Sequence, residues 1–269
     1  MSSRLLSLDF FPTLTNKDEF LQRITREEAI LPRILNQYLL LTVFSFAYGV
    51  IMGSYHSFAQ AVAAGVKVTV LFSLVLIVCF PAFFIIQYIL GSKLKLGQMI
   101  SIILSGFVLT TAIMVSFAPI IVFFLLTGGN YYFLQLLHIG IFVLSGLFGM
   151  KTIVDALKYS CEKKNVYPQI GVVVFRFWVI IMAFVGIQLA WNLRPFLGDR
   201  NQPFELFRDY EGNFYAALIY SGKQLLDPND PKVVPAASLK PEERYLDDAA
   251  VADSLAEFFE EPDDEETTD

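Results

Sequence analysis

Apolar positions gather into five long runs, residues 35–54, 66–90, 98–126, 131–150 and 170–192, with polar and charged positions pushed between them. A helix rises 1.5 Å per residue, so about 20 residues cross the ~30 Å hydrocarbon core of a bilayer. Backbone N–H and C=O groups find no water there, which leaves helices as the form these runs take. The pattern predicts an all-α fold, a polytopic transmembrane helix bundle of five spans.

The intervening polar segments have their own patterns. Residues 1–34 form a charged segment in which 15–31 read as an amphipathic helix. Phe20, Leu21, Ile24, Leu31 and Leu35 fall near one face; Lys17, Arg23, Arg26 and Glu27 fall elsewhere. Thr15 or Asn16 caps it, and Pro32 ends or kinks it before the first span. Such a helix lies on the membrane surface or packs on the bundle ends, and both readings stand. Thr127-Gly128-Gly129-Asn130 makes a tight hairpin between spans three and four. Tyr55, Tyr131, Tyr132 and Trp191 sit where interfacial aromatic anchors belong, with Tyr38 at the opposite end.

Four regions follow. Residues 1–34 are the N-terminal segment and 35–192 the five-span domain. Residues 193–226 mix aromatic, Arg and acidic residues and read as a folded extramembrane cap. Its anchors are Phe204, Phe207, Phe214 and Tyr215, with Arg194, Arg200 and Arg208 pairing with Asp199, Glu205, Asp209 or Glu211. Residues 227–269 are Pro- and Asp-rich, then acidic, and read as mostly disordered, with a short amphipathic helix available over 247–260.

Composition agrees. Hydrophobic residues make up 55% of the 269 and the mean hydropathy is +0.54, above the 45–50% apolar content of ordinary soluble domains. The 26 Phe suit lipid-facing and interhelical packing. The first 34 residues lack the apolar core of a cleavable leader, so the first span is expected to act as an uncleaved insertion signal. The net charge of −6 hides a division: residues 242–269 hold 13 acids and one base, leaving 13 acids against 19 bases in the rest. Loop charges set orientation. Arg4, Lys17, Arg23, Arg26, Arg33, Lys93, Lys95, Lys151, Lys158, Lys163 and Lys164 fall on one side, eleven in all; Lys67, Arg194, Arg200 and Arg208 fall on the other. The N-terminus is therefore expected in the cytoplasm and the C-terminus outside.

Candidate chemistry is sparse. Gly49-x-x-x-Gly53 and Ser145-x-x-x-Gly149 are small-residue pairs that let helix backbones approach, within one chain or between two copies. Pro81 and Pro119 interrupt backbone pairing inside spans two and three. Ionisable residues at membrane depth are His138, which could bond Gln188, and Arg176, which could snorkel or pair with Asp155. No Asp or Glu stands in a span core to extend them into a proton relay. Cys79 and Cys161 form no CxxC, and two histidines are too few for most metal sites. The templates of zinc proteases, serine hydrolases, P-loop enzymes and dinucleotide-binding proteins are absent. The run Glu260–Glu266 lacks the spacing and turn glycine of a calcium loop. The sequence thus assigns no catalytic residue, cofactor or metal, and no nucleic-acid partner.

Five spans with an inner N-terminus and an outer C-terminus resemble the Ypt-interacting-protein (Yip) family, which shares a Pro-containing second span and a short following loop, here Phe80-Pro81 and Gly91-Ser92-Lys93-Leu94. That resemblance covers about residues 37–192 and implies vesicle-trafficking membrane proteins. The block Gln188-Leu189-Ala190-Trp191-Asn192-Leu193-Arg194-Pro195-Phe196, with Pro203-Phe204-Glu205-Leu206-Phe207-Arg208 and Glu211-Gly212-Asn213-Phe214-Tyr215, is similar to uncharacterised five-span cyanobacterial proteins. Some of those carry an actin-binding, Wiskott–Aldrich-homology label. Its helix followed by a Leu-Lys-Lys-Thr-like strand has no match here: Lys93-Leu94-Lys95 is in an interhelical loop and Ser238-Leu239-Lys240 lacks the helix. The resemblance implies the inner (cytoplasmic) membrane of a bacterium or a thylakoid membrane. The expected function is a non-enzymatic scaffold or membrane organiser. Its partners are the lipid bilayer, an unidentified membrane or extracytoplasmic protein, or a second copy of the chain. The alternative is a small transporter or channel built on His138 and Arg176.

Orientation is directly testable. In a background without Cys79 and Cys161, Ser92→Cys and Ser221→Cys should react with an impermeant maleimide from opposite sides of the membrane. Reaction of both from outside would overturn the inner N-terminus.

Overall fold

A computed structural model describes residues 30–162, 169–198, 200, 203–207 and 214–226. Residues 15–29 of the expected amphipathic helix 15–31, Arg208 and the acidic tail lie outside these residues. The chain divides into two units, residues 1–210 and 211–269. The division falls inside the segment 193–226.

The first unit holds α1 (Ile30–Gly53), α2 (Phe58–Ile89), α3 (Leu96–Ser116), α4 (Ala118–Leu126), α5 (Tyr131–Glu162) and α6 (Gln169–Asn192). Five helical stretches are long and apolar enough to cross a membrane, with α3 and α4 forming one, and no strand occurs among the described residues. This is the all-α five-span bundle the apolar runs predict. The second unit contributes α7 (Phe214–Leu226).

Short turns dictate the topology. Residues 54–57 join α1 to α2, where Ser57 caps α2 by accepting from the Gln60 amide at 3.2 Å. Gly91 takes φ +83 after α2, and Gly128 takes φ +83 between α4 and α5, the left-handed conformation that lets each helix reverse without a Cβ penalty. At Phe117 the third span breaks. Pro119, second residue of α4, has no N–H to continue the ladder, and the Phe117 carbonyl accepts from Ile120 and Ile121 at 3.0 and 3.1 Å to restart it.

Three element bounds differ from the apolar runs. α1 is described from Ile30 and so takes in Pro32 and the residues before 35; the helix that Pro32 is expected to end or kink lies mostly outside the described residues. α2 starts at Phe58, well before residue 66, because Gln60 and Lys67 find buried partners and their polarity does not end the helix. α5 runs past Met150 to Glu162. Lys151, Asp155 and Lys158 recur about one turn apart there, while Ile153, Ala156 and Leu157 stay buried.

The helices close a ring in the order α1, α2, α6, α5, α3 and back to α1. Glycine permits the closest approaches. A methyl on Gly49 would stand 2.5 Å from the Ala64 carbonyl oxygen, and one on Gly149 would stand 2.6 Å from that of Gly106. Gly53 meets Ala61 of α2 in the same way. These small-residue motifs therefore seat α1 on α2 and α5 on α3 within one chain. Aromatic rings fill the rest: Phe72 of α2 packs edge-on to Phe107 of α3 at 5.6 Å and stacks on Phe142 of α5 at 6.3 Å. Phe83 of α2 packs on Phe175 and Trp178 of α6 at 5.0 and 4.8 Å.

Side chains forced into these contacts must push helices apart. Gly49→Val and Gly149→Val should each lower detergent-solubilised thermal stability by about 1–3 kcal/mol or prevent folding. Gly140→Ala, which meets nothing within 4 Å, should leave the melting curve in place.

Candidate functional site

Pro195 cannot donate to the α6 ladder, and the chain leaves the helix after Asn192. It does not depart into solvent. The described residues among 193–207 fold back across the start of α2 as a non-helical strap. Gly198, at φ +70, lets it press on α2: a Cβ there would stand 2.9 Å from His56 Cβ and 3.1 Å from Gln60 Cγ. Leu197 is buried against the bundle and Phe196 partly so.

Two side chains of α2 hold the strap's carbonyls. Gln60 Nε2 donates to Pro195 and Phe196 O at 3.0 and 3.3 Å. Lys67 Nζ donates to Pro195 O at 2.9 Å and to Leu206 O, and stands 5.0 Å from the centre of the Phe207 ring. Residues 60 and 67 are two turns apart and share a face. Lys carries three donors and no acceptor, so two carbonyls and a ring face satisfy it. At the end of the helices, Arg200 Nε donates to Tyr55 O at 2.7 Å and its guanidinium lies 4.3 Å over the Tyr55 ring. Arg194 lies 3.6 Å over Trp191. Tyr55 continues to Tyr131 at 6.3 Å, so the aromatic belt carries both guanidinium groups.

This arrangement redistributes the expected cap contacts. Phe204 and Phe207 are exposed, and the anchors are Leu197, buried, and Phe196, partly buried, which reach the bundle first. Arg194 and Arg200 rest on aromatic rings. Asp199, Arg208, Asp209 and Glu211 lie outside the described residues. Phe214 and Tyr215 open α7 in the second unit.

A second polar centre lies inside the ring. Tyr48 OH of α1 and His138 Nδ1 of α5 are 2.8 Å apart, and both residues are essentially inaccessible, at 0% and 1%. Phe142 packs edge-on to Tyr48 at 5.7 Å. The partner of His138 is thus Tyr48 and not Gln188, which is only half-buried on α6. His138 Nε2 and the buried Ser145 Oγ have no hydrogen-bond partner. Arg176 lies on the exposed face of α6, and no ion pair joins it to Asp155. It does not meet His138. Among the described residues no three His, Cys, Asp or Glu side chains gather to hold a metal ion.

The residues that sequence reasoning missed are Lys67, Gln60, Tyr48 and Gly106. A signal for the first two existed. Gln60, Ala61, Ala64, Gly65 and Lys67 put a small-residue stripe beside two polar positions on one helical face. The chain matches no protein-family model, no curated protein and no solved structure.

Lys67→Met removes the donor to Leu206 O but leaves Pro195 O with Gln60. A hydrogen bond from a charged donor contributes about 1.5–3 kcal/mol, so strap opening should rise at least ~10-fold. Tryptic cleavage at Arg200 and Arg208 in detergent should accelerate accordingly, with little change in bundle melting. Unchanged cleavage would mean that Lys67 does not hold the strap.

Proposed function

We propose that this chain is a non-enzymatic integral membrane protein that organises a protein partner at the strap end of its bundle. Five apolar helices make it membrane-embedded. The partner reading rests on one observation: a non-helical segment outside the spans is held against the bundle by side chains from a different helix. A connector needs no such ties. A pre-formed loop on a rigid support is the usual means of presenting a binding surface. Its polar edge, with Arg200 and the Glu205 carboxylate, is the part offered to protein. In this reading the N-terminus is cytoplasmic, the strap faces outward, and residues 227–269 trail as an acidic tail. The host membrane is a bacterial inner or thylakoid membrane, and the Yip-like topology belongs to the same proposal.

The second reading, a small transporter or channel, is favoured by the unpartnered His138 Nε2 inside the ring. Arg176 does not support it, being on the outer surface of α6.

One preparation separates the two. Affinity purification of the full chain from native membranes in mild detergent should recover a stoichiometric protein partner, depleted when Lys67→Met loosens the strap. Absence of any partner, with ion or solute flux in proteoliposomes that His138→Ala abolishes, would replace the scaffold with the transporter.

A further inference from the structure

We infer that the strap has a second edge, made by Phe204, Leu206 and Phe207, that inserts into the bilayer at the boundary between headgroups and acyl chains. These three large apolar residues crowd four positions and stand 46%, 52% and 58% exposed. An aqueous loop has no use for such a cluster. They are also placed beside lipid. Lys67 holds the Leu206 carbonyl and faces the Phe207 ring, and its chain neighbour Val66 belongs to an exposed stripe of α2, Phe58, Val62, Val66 and Val70, recurring every fourth residue. The strap edge therefore continues the lipid-facing surface of α2.

Backbone chemistry agrees with the location. Non-helical backbone beside hydrocarbon must take its hydrogen bonds from protein. The carbonyls of Pro195, Phe196 and Leu206 receive theirs from Gln60 and Lys67. Arg200, at the helix ends with Tyr55, lies where a guanidinium meets headgroups while Phe rings enter the glycerol region. One edge of the strap is then apolar and lipid-facing and the other polar. This goes beyond the partner proposal and does not depend on it, because the lipid edge needs no partner protein.

The test is fluorescence quenching of the full chain in vesicles of phosphatidylcholine and phosphatidylglycerol. Cys79 and Cys161 are replaced by Ala, and bimane is attached at Leu206→Cys, with Val66→Cys as lipid-facing reference and Ser92→Cys as water-facing reference. Phe204→Cys guards against local misfolding at 206, and melting curves confirm folding. Lipids carrying a doxyl group near the glycerol end of the acyl chain should quench positions 204 and 206 as strongly as 66 and several-fold more than 92. Aqueous iodide should show the reverse order. Quenching by iodide at the level of position 92 would overturn the proposal. So would protection from both quenchers: concentration-dependent energy transfer between labelled copies would then assign the edge to a second copy, and its absence to a contact within the chain.

Discussion

A carbonyl that leaves a helix inside a bilayer has no water to turn to, and the structure is arranged around that constraint. Most of the chain meets it by remaining helical. The third span breaks at Phe117 and resolves the break locally, through the Ile120 and Ile121 amides. The strap cannot resolve it locally, because Pro195 and the turn at Gly198 prevent any regular ladder. Its carbonyls take donors from Gln60 and Lys67. Neither side is comfortable alone: an unpaired Lys at membrane depth is costly, and so is a bare peptide carbonyl. Paired, each removes the other's penalty.

The same solvent dictates how the helices meet. Lipid tails are as apolar as Leu, so burying Leu against Leu gains little, and association relies on close packing and polar links. Gly49 and Gly53 bring α1 onto α2 near the strap end, and Gly106 and Gly149 bring α3 onto α5. Close backbones leave the ring interior to be filled by Phe72, Phe107 and Phe142. The Tyr48–His138 hydrogen bond crosses that interior between α1 and α5, which are not neighbours in the ring. In hydrocarbon such bonds contribute about 0.6–2 kcal/mol, and they fix rotation of both helices about their axes, which apolar packing alone leaves soft.

This explains what could be read from the chain and what could not. The spans were legible because twenty uncharged residues have one form in lipid. Their ends were not, since Gln60, Lys67, Lys151 and Asp155 look like loop residues until a partner or an exposed helix extension is known. Gly49, Gly53 and Gly149 were recognisable as contact positions from spacing. Their counterparts Ala61, Ala64 and Gly106 were not, because spacing marks a face without naming what it meets. His138 was visible as a buried ionisable residue, but its bond to Tyr48 depends on ring order, which no pattern within one helix encodes. The outward turn of Phe204 and Phe207 was hidden for a related reason: Phe196 and Leu197 come first along the strap and occupy the space against the bundle.

Moving Lys67 from loop to helix also changes the charge argument. Counted as a loop residue it is one of four bases opposing eleven. The orientation rule counts charges near the ends of spans that must be carried across or held back during insertion. Lys67 lies nine residues inside α2, satisfied by protein carbonyls, so it belongs with the bundle's internal chemistry. The comparison becomes eleven against three, and of those three Arg194 and Arg200 are already engaged with Trp191 and Tyr55. The two ends of the bundle thus use basic residues differently. Eleven bases fall in the segments expected on one side of the spans, the asymmetry from which the orientation is expected. Lys67, Arg194 and Arg200 are engaged with carbonyls and rings, the contacts that give the described part of the non-helical segment a defined shape.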